Sequence, residues 1–202
     1  MIIDNAYGAP FPNIIFTDTQ LDWNRHTILC MSLSKLGLPA ARTGIVVADG
    51  DTATMLTRIN AVMNLAPGGI GASIALQLVS SGRILELTRN VIRPFYEQRV
   101  EMAIEQLREE LNGLDYHIHK AEGTFFLWLW FRGLPISSVQ LYERLKARGV
   151  LVVPGNYFFP GLEEPWRHKN ECIRVNYARE QDVVRRGIRV ITEQVKRAYA
   201  EG

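Results

Sequence analysis

The first half of the chain alternates short apolar runs with polar turns. Three of the runs have the length of a β-strand, namely Met1 to Ile3, His26 to Leu33 and Gly44 to Ala48. The polar stretch Asp4 to Asn13 follows the first run. The segment Ser34 to Thr43 carries Gly and Pro, and it predicts an exposed turn between the other two runs.

Two helices are predicted after these strands. Asp51 is placed to cap a helix that runs toward Ala66, and the pair Gly68-Gly69 precedes an apolar helical stretch from Ala72 to Val79. Because strands and helices are interspersed, this half of the chain favours an α/β layer.

A long helical pattern from Ile84 to Leu111 opens the second half, and Pro94 is expected to bend or divide it. The apolar stripe of this helix consists of Val100, Ile104, Leu107 and Leu111. The elements predicted after it are the strands Tyr116 to His119, Thr124 to Phe131, Val150 to Val153 and Cys172 to Tyr177, and the helices Ser138 to Arg148 and Glu180 to Tyr199. This order is typical of a small α+β domain, so we predict one domain over residues 1–90 and a second over residues 91–202.

Two groups of side chains in the second half have a structural interpretation. Most aromatic residues of its longest strand are expected to lie in the core, and one of them is a candidate to border a substrate pocket: Phe125, Phe126, Trp128 and Trp130. Basic residues of the last helix fall away from its apolar face, which indicates a solvated surface: Arg185, Arg186, Arg189 and Lys196.

Composition indicates a folded chain and narrows the class of partner. Of the 202 residues, 47% are hydrophobic and 22% are charged, which is close to the ordinary globular mix. Lysine plus arginine number 23 and aspartate plus glutamate number 21, and this balance does not favour nucleic acid as a partner. The longest purely apolar run, Phe125 to Phe131, is far shorter than the roughly 20 residues that span a bilayer, so no membrane partner is expected.

Cysteine and histidine spacing indicates neither a metal site nor a disulfide scaffold. Cys30 and Cys172 lie far apart and form no C-x-x-C motif, which favours reduced thiols in a cytoplasmic protein. His117, His119 and His168 have no metal-ligand spacing with nearby carboxylates, so no metal is expected. The first residues do not have the pattern of an export signal.

The segment SLSKLGLPAARTG, residues 32–44, carries the most chemistry. Lys35 follows an apolar strand, where an amine can be desolvated and oriented for a Schiff base with an aldehyde. The hydroxyls of Ser32 and Ser34 and the planar guanidinium of Arg42 suit a phosphate. Taken alone, such a segment more often holds an exposed turn lysine and a surface arginine.

Asp4 and Tyr7 follow a predicted strand and therefore belong at the rim of the sheet, where α/β folds place ligands. A buried carboxylate at this place can keep a pyridine nitrogen protonated, and a phenol can donate to an oxygen on the same ring. The alternative is a helix cap or Asx-turn made by Asp4 and a packed Tyr7, and these residues alone leave both interpretations open.

Three motifs occur in order along the chain: D-x-x-Y at 4–7, S-x-S-K-x-G-x-P-x-x-R-x-G at 32–44 and I-R-V-N-Y-A at 173–178. Together they resemble fold-type I pyridoxal-phosphate enzymes of the aspartate aminotransferase superfamily. The resemblance implies an α/β fold made of the C-terminal half of the large transferase domain, a mainly parallel sheet with helices, followed by a small α+β domain. Since complete subunits of that family are far longer, we expect a C-terminal fragment or a truncated product.

The resemblance also implies a role for each motif residue. Lys35 would be the Schiff-base lysine and the base that moves the proton from the substrate Cα to C4′ of pyridoxal phosphate. Asp4 would pair with the pyridinium nitrogen, and Tyr7 would bond the 3′ oxygen of the ring. The other implied ligands are Ser32, Ser34 and Arg42 for the phosphate and Arg174 for the α-carboxylate of the substrate. The step from Lys35 to Arg42 is one residue shorter than in many relatives, which implies a tighter turn.

The activity implied is transamination between a small aliphatic amino acid such as valine or alanine and a 2-oxo acid such as pyruvate or 2-oxoisovalerate. The full-length form would be a homodimer, and the fragment alone is expected to be weakly active or inactive. Lyases and decarboxylases of the same fold use the same lysine, aspartate and arginine, so they remain an alternative. A further alternative is a non-catalytic aminotransferase-like module.

Overall fold

A computed structural model describes all residues from 1 to 202. The chain divides into two compact units, one made of residues 1–95 with 122–124 and the other of residues 96–121 with 125–202. The division falls between Phe95 and Tyr96, whereas the predicted domain boundary followed residue 90. Each unit has its own β-sheet.

The sheet of the first unit has three strands in the order β1-β2-β3. Its strands are β1 (Ile2–Asp4), β2 (Ile28–Ser32) and β3 (Gly44–Val47). β1 and β2 are parallel, whereas β2 and β3 are antiparallel. The resemblance implied a mainly parallel sheet, and within this chain one of the two strand pairs is parallel. The reason is that β3 returns from β2 through a short connection, which suits antiparallel pairing only.

Helices follow the strands of the first unit. They are α1 (Gly50–Asn64), α2 (Ile70–Ser80), α3 (Arg83–Leu87), a π-helical turn (Thr88–Ile92) and α4 (Arg93–Glu110), which continues into the second unit. The segment predicted as an exposed turn contains two short 3-10 helices, Leu33–Leu36 and Pro39–Ala41. A bend or division of the helix was predicted near Pro94. The structure has a π-helical turn there, which ends at Ile92, directly before α4.

Asp49, and not Asp51, caps α1. The Asp49 carboxylate accepts hydrogen bonds from the backbone N–H groups of Asp51 and Thr52, each at 3.2 Å. The hydroxyl of Thr52 also donates to it, and this hydrogen bond is the main reason that the pKa of Asp49 is lowered. Both acids precede the helical pattern, and the backbone geometry, which sequence does not display, selects between them.

A small apolar core supports the first sheet. β2 alternates along its length, with Leu29 and Met31 buried and their neighbours half-buried. The other buried members of this cluster are Phe11, Leu33, Leu36, Ala75 and Ile84. Because Leu33 and Leu36 belong to the first 3-10 helix, the segment that follows β2 is anchored to the core.

The second unit contains a four-stranded antiparallel sheet of order β4-β5-β7-β6. Its strands are β4 (Tyr116–Ile118), β5 (Phe126–Phe131), β6 (Val153–Pro154) and β7 (Cys172–Asn176). Its helices, besides most of α4, are α5 (Ser138–Ala147), a 3-10 helix (Gly155–Phe158), α6 (Arg167–Glu171) and α7 (Gln181–Glu201). The strand predicted over 150–153 is shorter than expected, since the N–H of Val150 bonds to Leu145 O at the end of α5. The predicted α/β architecture with a following α+β part is confirmed.

β5 corrects the expectation that its aromatic residues form the core. The buried side chains of this strand are Leu127, Leu129 and Phe131. Phe126, Trp128 and Trp130 alternate with them on the opposite face and are half-buried, as is Phe125 before the strand. The strand therefore has a buried inner face made of two leucines and Phe131, and an outer face of half-buried aromatic side chains.

The helices of the second unit bury the stripes that the sequence predicted. α4 buries Val100 and Leu107, and Leu111 follows it in the core, while Ile104 is half-buried. α7 buries its apolar face: Val184, Ile188, Ile191, Val195 and Ala198. The basic side chains that the sequence placed elsewhere on α7 are exposed.

No single helix combines the length and apolar composition needed to cross a membrane. α2 and the segment Arg83–Glu110 reach this length and composition only when taken together, and they are bent by 84° relative to each other.

α2 begins in close contact with the turn that precedes β3. A Cβ atom on Gly71 would lie 1.9 Å from Thr43 Oγ1 and 2.3 Å from the carbonyl oxygen of Ala41. The turn is itself closed, because the Thr43 hydroxyl donates to Ala41 O at 2.8 Å. Position 71 therefore requires glycine, because the turn lies too close to α2 to leave room for a side chain.

We predict that Gly71→Ala destabilises the chain by about 1–3 kcal/mol, because the new methyl group forces the turn and the helix apart. Gly69→Ala is the matched control, since Gly69 has a φ of −82° and nothing lies within 4 Å of the added Cβ. Urea unfolding followed by circular dichroism measures both free energies. Equal stability of the two variants would show that α2 does not pack on this turn.

Candidate active site

Three chain segments meet at one edge of the first sheet. Since β1 and β2 are parallel, their carboxyl ends, at Asp4 and Ser32, lie at the same edge. β3 runs in the opposite direction with Gly44 opposite Ser32, so the residues just before β3 reach this edge too. The topology thus brings together all the predicted site residues of the first unit.

Lys35 lies at this edge beside Tyr7. Its Nζ is 5.4 Å from the centroid of the Tyr7 ring, a distance at which an ammonium group is attracted by the face of a phenol. Both residues are half-buried. Lys35 belongs to the 3-10 helix after β2, whose buried Leu33 and Leu36 leave the lysine on the other side of the turn. The structure brings together the amine and the phenol that the sequence singled out.

The loop that carries Tyr7 is held from several sides. The carbonyl oxygen of Tyr7 accepts a hydrogen bond from the N–H of Ile14 at 2.9 Å. Just beyond, Arg93 donates from Nη1 to Ile15 O at 3.1 Å and from Nη2 to Phe16 O at 2.9 Å. Sequence reasoning missed Arg93, because a basic residue before a proline in a helical pattern carries no signal for a loop so distant in sequence.

The hydroxyls and guanidinium predicted to hold an anion form one cluster. Ser32 Oγ accepts from the backbone N–H of Ser34 at 3.2 Å, and Arg42 Nη1 donates to Ser34 Oγ at 3.4 Å. Arg42 is exposed and makes no ion pair, so its positive charge is available to an anion.

Arg42 ends the connection between β2 and β3 with an unusual backbone conformation. It has a φ of 45° and a ψ of 42°, which is the left-handed region, and its N–H bonds to Pro39 O at 3.4 Å. Few non-glycine residues adopt this conformation. The conformation ends the second 3-10 helix and returns the chain toward β3.

Asp4 differs from the expectation of a buried carboxylate. It is exposed, because β1 is an edge strand of the sheet and Asp4 is its last residue. Its backbone position is fixed, since the next N–H, of Asn5, donates to Cys30 O at 2.8 Å. Within this chain the carboxylate is thus available to a cationic partner, but this chain does not desolvate it.

The donor set at this edge fits pyridoxal phosphate by its chemistry. Such a ligand needs an amine for its aldehyde, cationic and hydroxyl donors for its phosphate, and groups for its ring nitrogen and ring oxygen. Lys35, the cluster of Ser32, Ser34 and Arg42, Asp4 and Tyr7 provide these groups. No group of three or more His, Cys, Asp or Glu side chains could hold a metal ion.

Arg174 belongs to β7 in the second unit. It is half-buried, and its Nε is buried without a hydrogen-bond partner. Its guanidinium carbon lies over two aromatic rings, 4.1 Å from the centroid of Phe126 and 4.8 Å from that of Phe158. Sequence reasoning assigned Arg174 but did not place Phe126 and Phe158 on its guanidinium, because their contact depends on strand register.

Comparison with known proteins gives consistent results. The family model "Aminotransferase class I and II" matches residues 1–191. Valine–pyruvate aminotransferase of Escherichia coli (strain K12) is 49% identical over 201 residues, which cover 100% of this chain and 48% of that protein. The crystal structure of valine-pyruvate aminotransferase from Salmonella typhimurium LT2 superposes with a TM-score of 0.89 at 50% identity, covering 100% of this chain and 52% of that one.

A more distant structure shares the fold. The multiple substrate aminotransferase from Thermococcus profundus is 23% identical with a TM-score of 0.77, over 100% of this chain and 49% of that one. The chain thus spans about half the length of the relatives it matches. Because the family model covers nearly all of its residues, this chain belongs to the aminotransferase class I and II family.

Proposed function

We propose that this chain contributes the lysine-bearing part of a pyridoxal-phosphate aminotransferase that acts on a small aliphatic amino acid and a 2-oxo acid. The observation that carries the proposal is the Lys35 amine beside the Tyr7 ring, at the sheet edge that also holds the cluster of Ser32, Ser34 and Arg42. Pyridoxal phosphate, when bound, supplies the electron sink that allows the substrate Cα to lose its proton.

The residues of this chain have separate tasks in the proposal. Ser32, Ser34 and Arg42 bind the phosphate, and Arg42 supplies a planar pair of donors for it. Asp4 offers a carboxylate to the ring nitrogen, and the Tyr7 hydroxyl donates to the ring oxygen.

Lys35 has the task of proton transfer. Its amine, once neutral, accepts the proton from the substrate Cα and later returns a proton. Backbone hydrogen bonds and those donated by the Arg93 side chain hold the neighbouring loops. This favours such a role, because a base must be fixed within reach of the proton it moves. The α-carboxylate of the substrate is assigned to Arg174.

The choice of substrates is supported by the relatives. Two of them, of 49% and 50% identity, are named valine–pyruvate aminotransferases. We therefore propose valine or alanine as amino donor, and pyruvate or 2-oxoisovalerate as acceptor.

A second copy of the subunit is the proposed partner. α1 has no buried residue, and it exposes large apolar side chains. Those exposed by about half or more are Met55 at 61%, Ile59 at 49%, Val62 at 81% and Met63 at 76%. An exposed apolar surface of this kind favours contact with another protein surface.

The reaction type is tested with valine that carries isotopically labelled nitrogen, supplied with pyruvate. Transamination transfers the label to alanine, whereas a lyase releases it as ammonium and a decarboxylase releases carbon dioxide and retains the amine. We expect labelled alanine from the full-length protein, and weak or no turnover from the 202 residues alone. Ammonium or carbon dioxide as the main product would favour the alternative reactions.

Cofactor capture is tested on the chain itself. We expect added pyridoxal phosphate to give the visible absorbance of a lysine-bound aldehyde, and Lys35→Ala to abolish it, because that amine is the one at the site. Lys196→Ala, an exposed lysine on α7, is the control and should keep the signal. The same absorbance in Lys35→Ala and the unaltered chain would contradict the assignment, and no signal in either would favour the non-catalytic module.

Phosphate binding by the cluster of Ser32, Ser34 and Arg42 is tested by comparing two aldehydes. Arg42→Gln should weaken binding of pyridoxal phosphate at least about tenfold, or roughly 1.4 kcal/mol, because a charge-assisted contact with the phosphate is lost. Binding of pyridoxal, which lacks the phosphate, should not change. Arg58→Gln, an exposed arginine on α1, controls for net charge. An equal loss of affinity for both aldehydes would show that Arg42 does not bind the phosphate.

A further inference from the structure

Arg174 is held by aromatic rings and not by an acid. It makes no ion pair, its guanidinium carbon lies over the rings of Phe126 and Phe158, and its Nε is buried without an acceptor. Ring faces attract a guanidinium through their electron density but do not accept hydrogen bonds in its plane. The N–H donors of Arg174 are therefore not consumed by the contacts that hold it.

Strand register places Phe126 on Arg174. Arg174 is opposite Trp128 across the β5–β7 pair, and Phe126 is opposite Asn176. Phe126 and Arg174 are thus diagonal neighbours on one face of the sheet, which is within reach of a long side chain. Their 4.1 Å contact joins two strands in the body of the sheet.

Phe158 reaches the same guanidinium from the 3-10 helix after β6. Its ring meets Trp128 edge to face, with centroids 5.1 Å apart and an angle of 89°. The helix begins at Gly155, where an added Cβ would lie 2.8 Å from the carbonyl oxygens of Cys172 and Lys169. Close backbone approach at one end and ring packing at the other fix the place of Phe158.

We propose that Phe126 and Phe158 are positioning residues that orient the Arg174 guanidinium for a carboxylate ligand, in place of an acidic partner. An aspartate or glutamate here would compete with the incoming carboxylate, whereas aromatic rings fix the side chain and leave its charge and N–H donors free. The unpaired Nε shows that the chain itself supplies no acceptor to this guanidinium, so its hydrogen-bonding capacity is left for a ligand. This inference rests on the proposed function, which assigns the substrate α-carboxylate to Arg174.

The test observes Arg174 directly, by nuclear magnetic resonance of isotopically labelled arginine in the 202-residue chain. The Nε–H signal of Arg174, assigned by its loss in Arg174→Lys, should be displaced upfield because it lies over ring faces. Pyruvate should shift this signal saturably, and the uncharged pyruvamide should not. Phe158→Leu should return the signal toward that of exposed arginines and raise the Kd for pyruvate about threefold to tenfold.

Two further variants separate positioning from a loss of structure. Phe158→Tyr keeps an aromatic face and should restore both the signal and the Kd. Tyr157→Leu removes an exposed aromatic residue of the same 3-10 helix, and it should change neither.

Each alternative outcome has a distinct meaning. If Phe158→Leu changes neither the signal nor the Kd, the positioning role is overturned, while carboxylate binding by Arg174 stands. If pyruvate does not shift the signal of the unaltered chain, the inference is overturned together with the role of Arg174 in the proposed function. Cofactor capture by Lys35 has its own absorbance test, so its failure is recognised separately.

Discussion

The pairing of β2 with both of its neighbours is the constraint on which the candidate site depends. Parallel pairing with β1 places the chain after Asp4 and the chain after Ser32 at one edge, and antiparallel pairing with β3 returns Arg42 to that edge. If β1 ran in the opposite direction, the acid and phenol would lie at the far end of the sheet from the lysine. Chemistry contributed by three separate segments thus depends on the directions of three short strands.

Once the strands are paired, contacts between distant segments hold the connecting loops. Arg93, at the start of α4, binds the carbonyl groups of the chain that follows the Tyr7 loop, and Gly71 allows α2 to approach the turn that carries Arg42. Neither residue has reactive chemistry at the site. Both limit the motion of groups that must hold a charged ligand, and such preorganisation reduces the cost of binding.

In the second unit, aromatic rings hold the side chain that is proposed to bind a charged ligand. Arg174 lies on a face of its sheet that is rich in aromatic side chains, and Leu127, Leu129 and Phe131 of β5 fill the core on the other face. This division gives the strand two functions, because alternate residues of one sequence stabilise the unit and surround a cation. The charge of Arg174 is accommodated by ring faces and retains its capacity for hydrogen bonds.

The sequence by itself determined the kinds of elements and the identity of the motif residues. Apolar periodicity predicted the strands and the buried stripes of α4 and α7, and the three ordered motifs that contain Asp4, Lys35 and Arg174 indicated the family, since these patterns can be read directly from the chain. Only the tertiary structure decided that Asp4 is exposed, that Arg93 binds a distant loop and that Phe126 and Phe158 surround Arg174. These features depend on strand register and on contacts between residues far apart in sequence, and a shift of one position in β5 or β7 would turn Phe126 or Arg174 to the opposite face of the sheet.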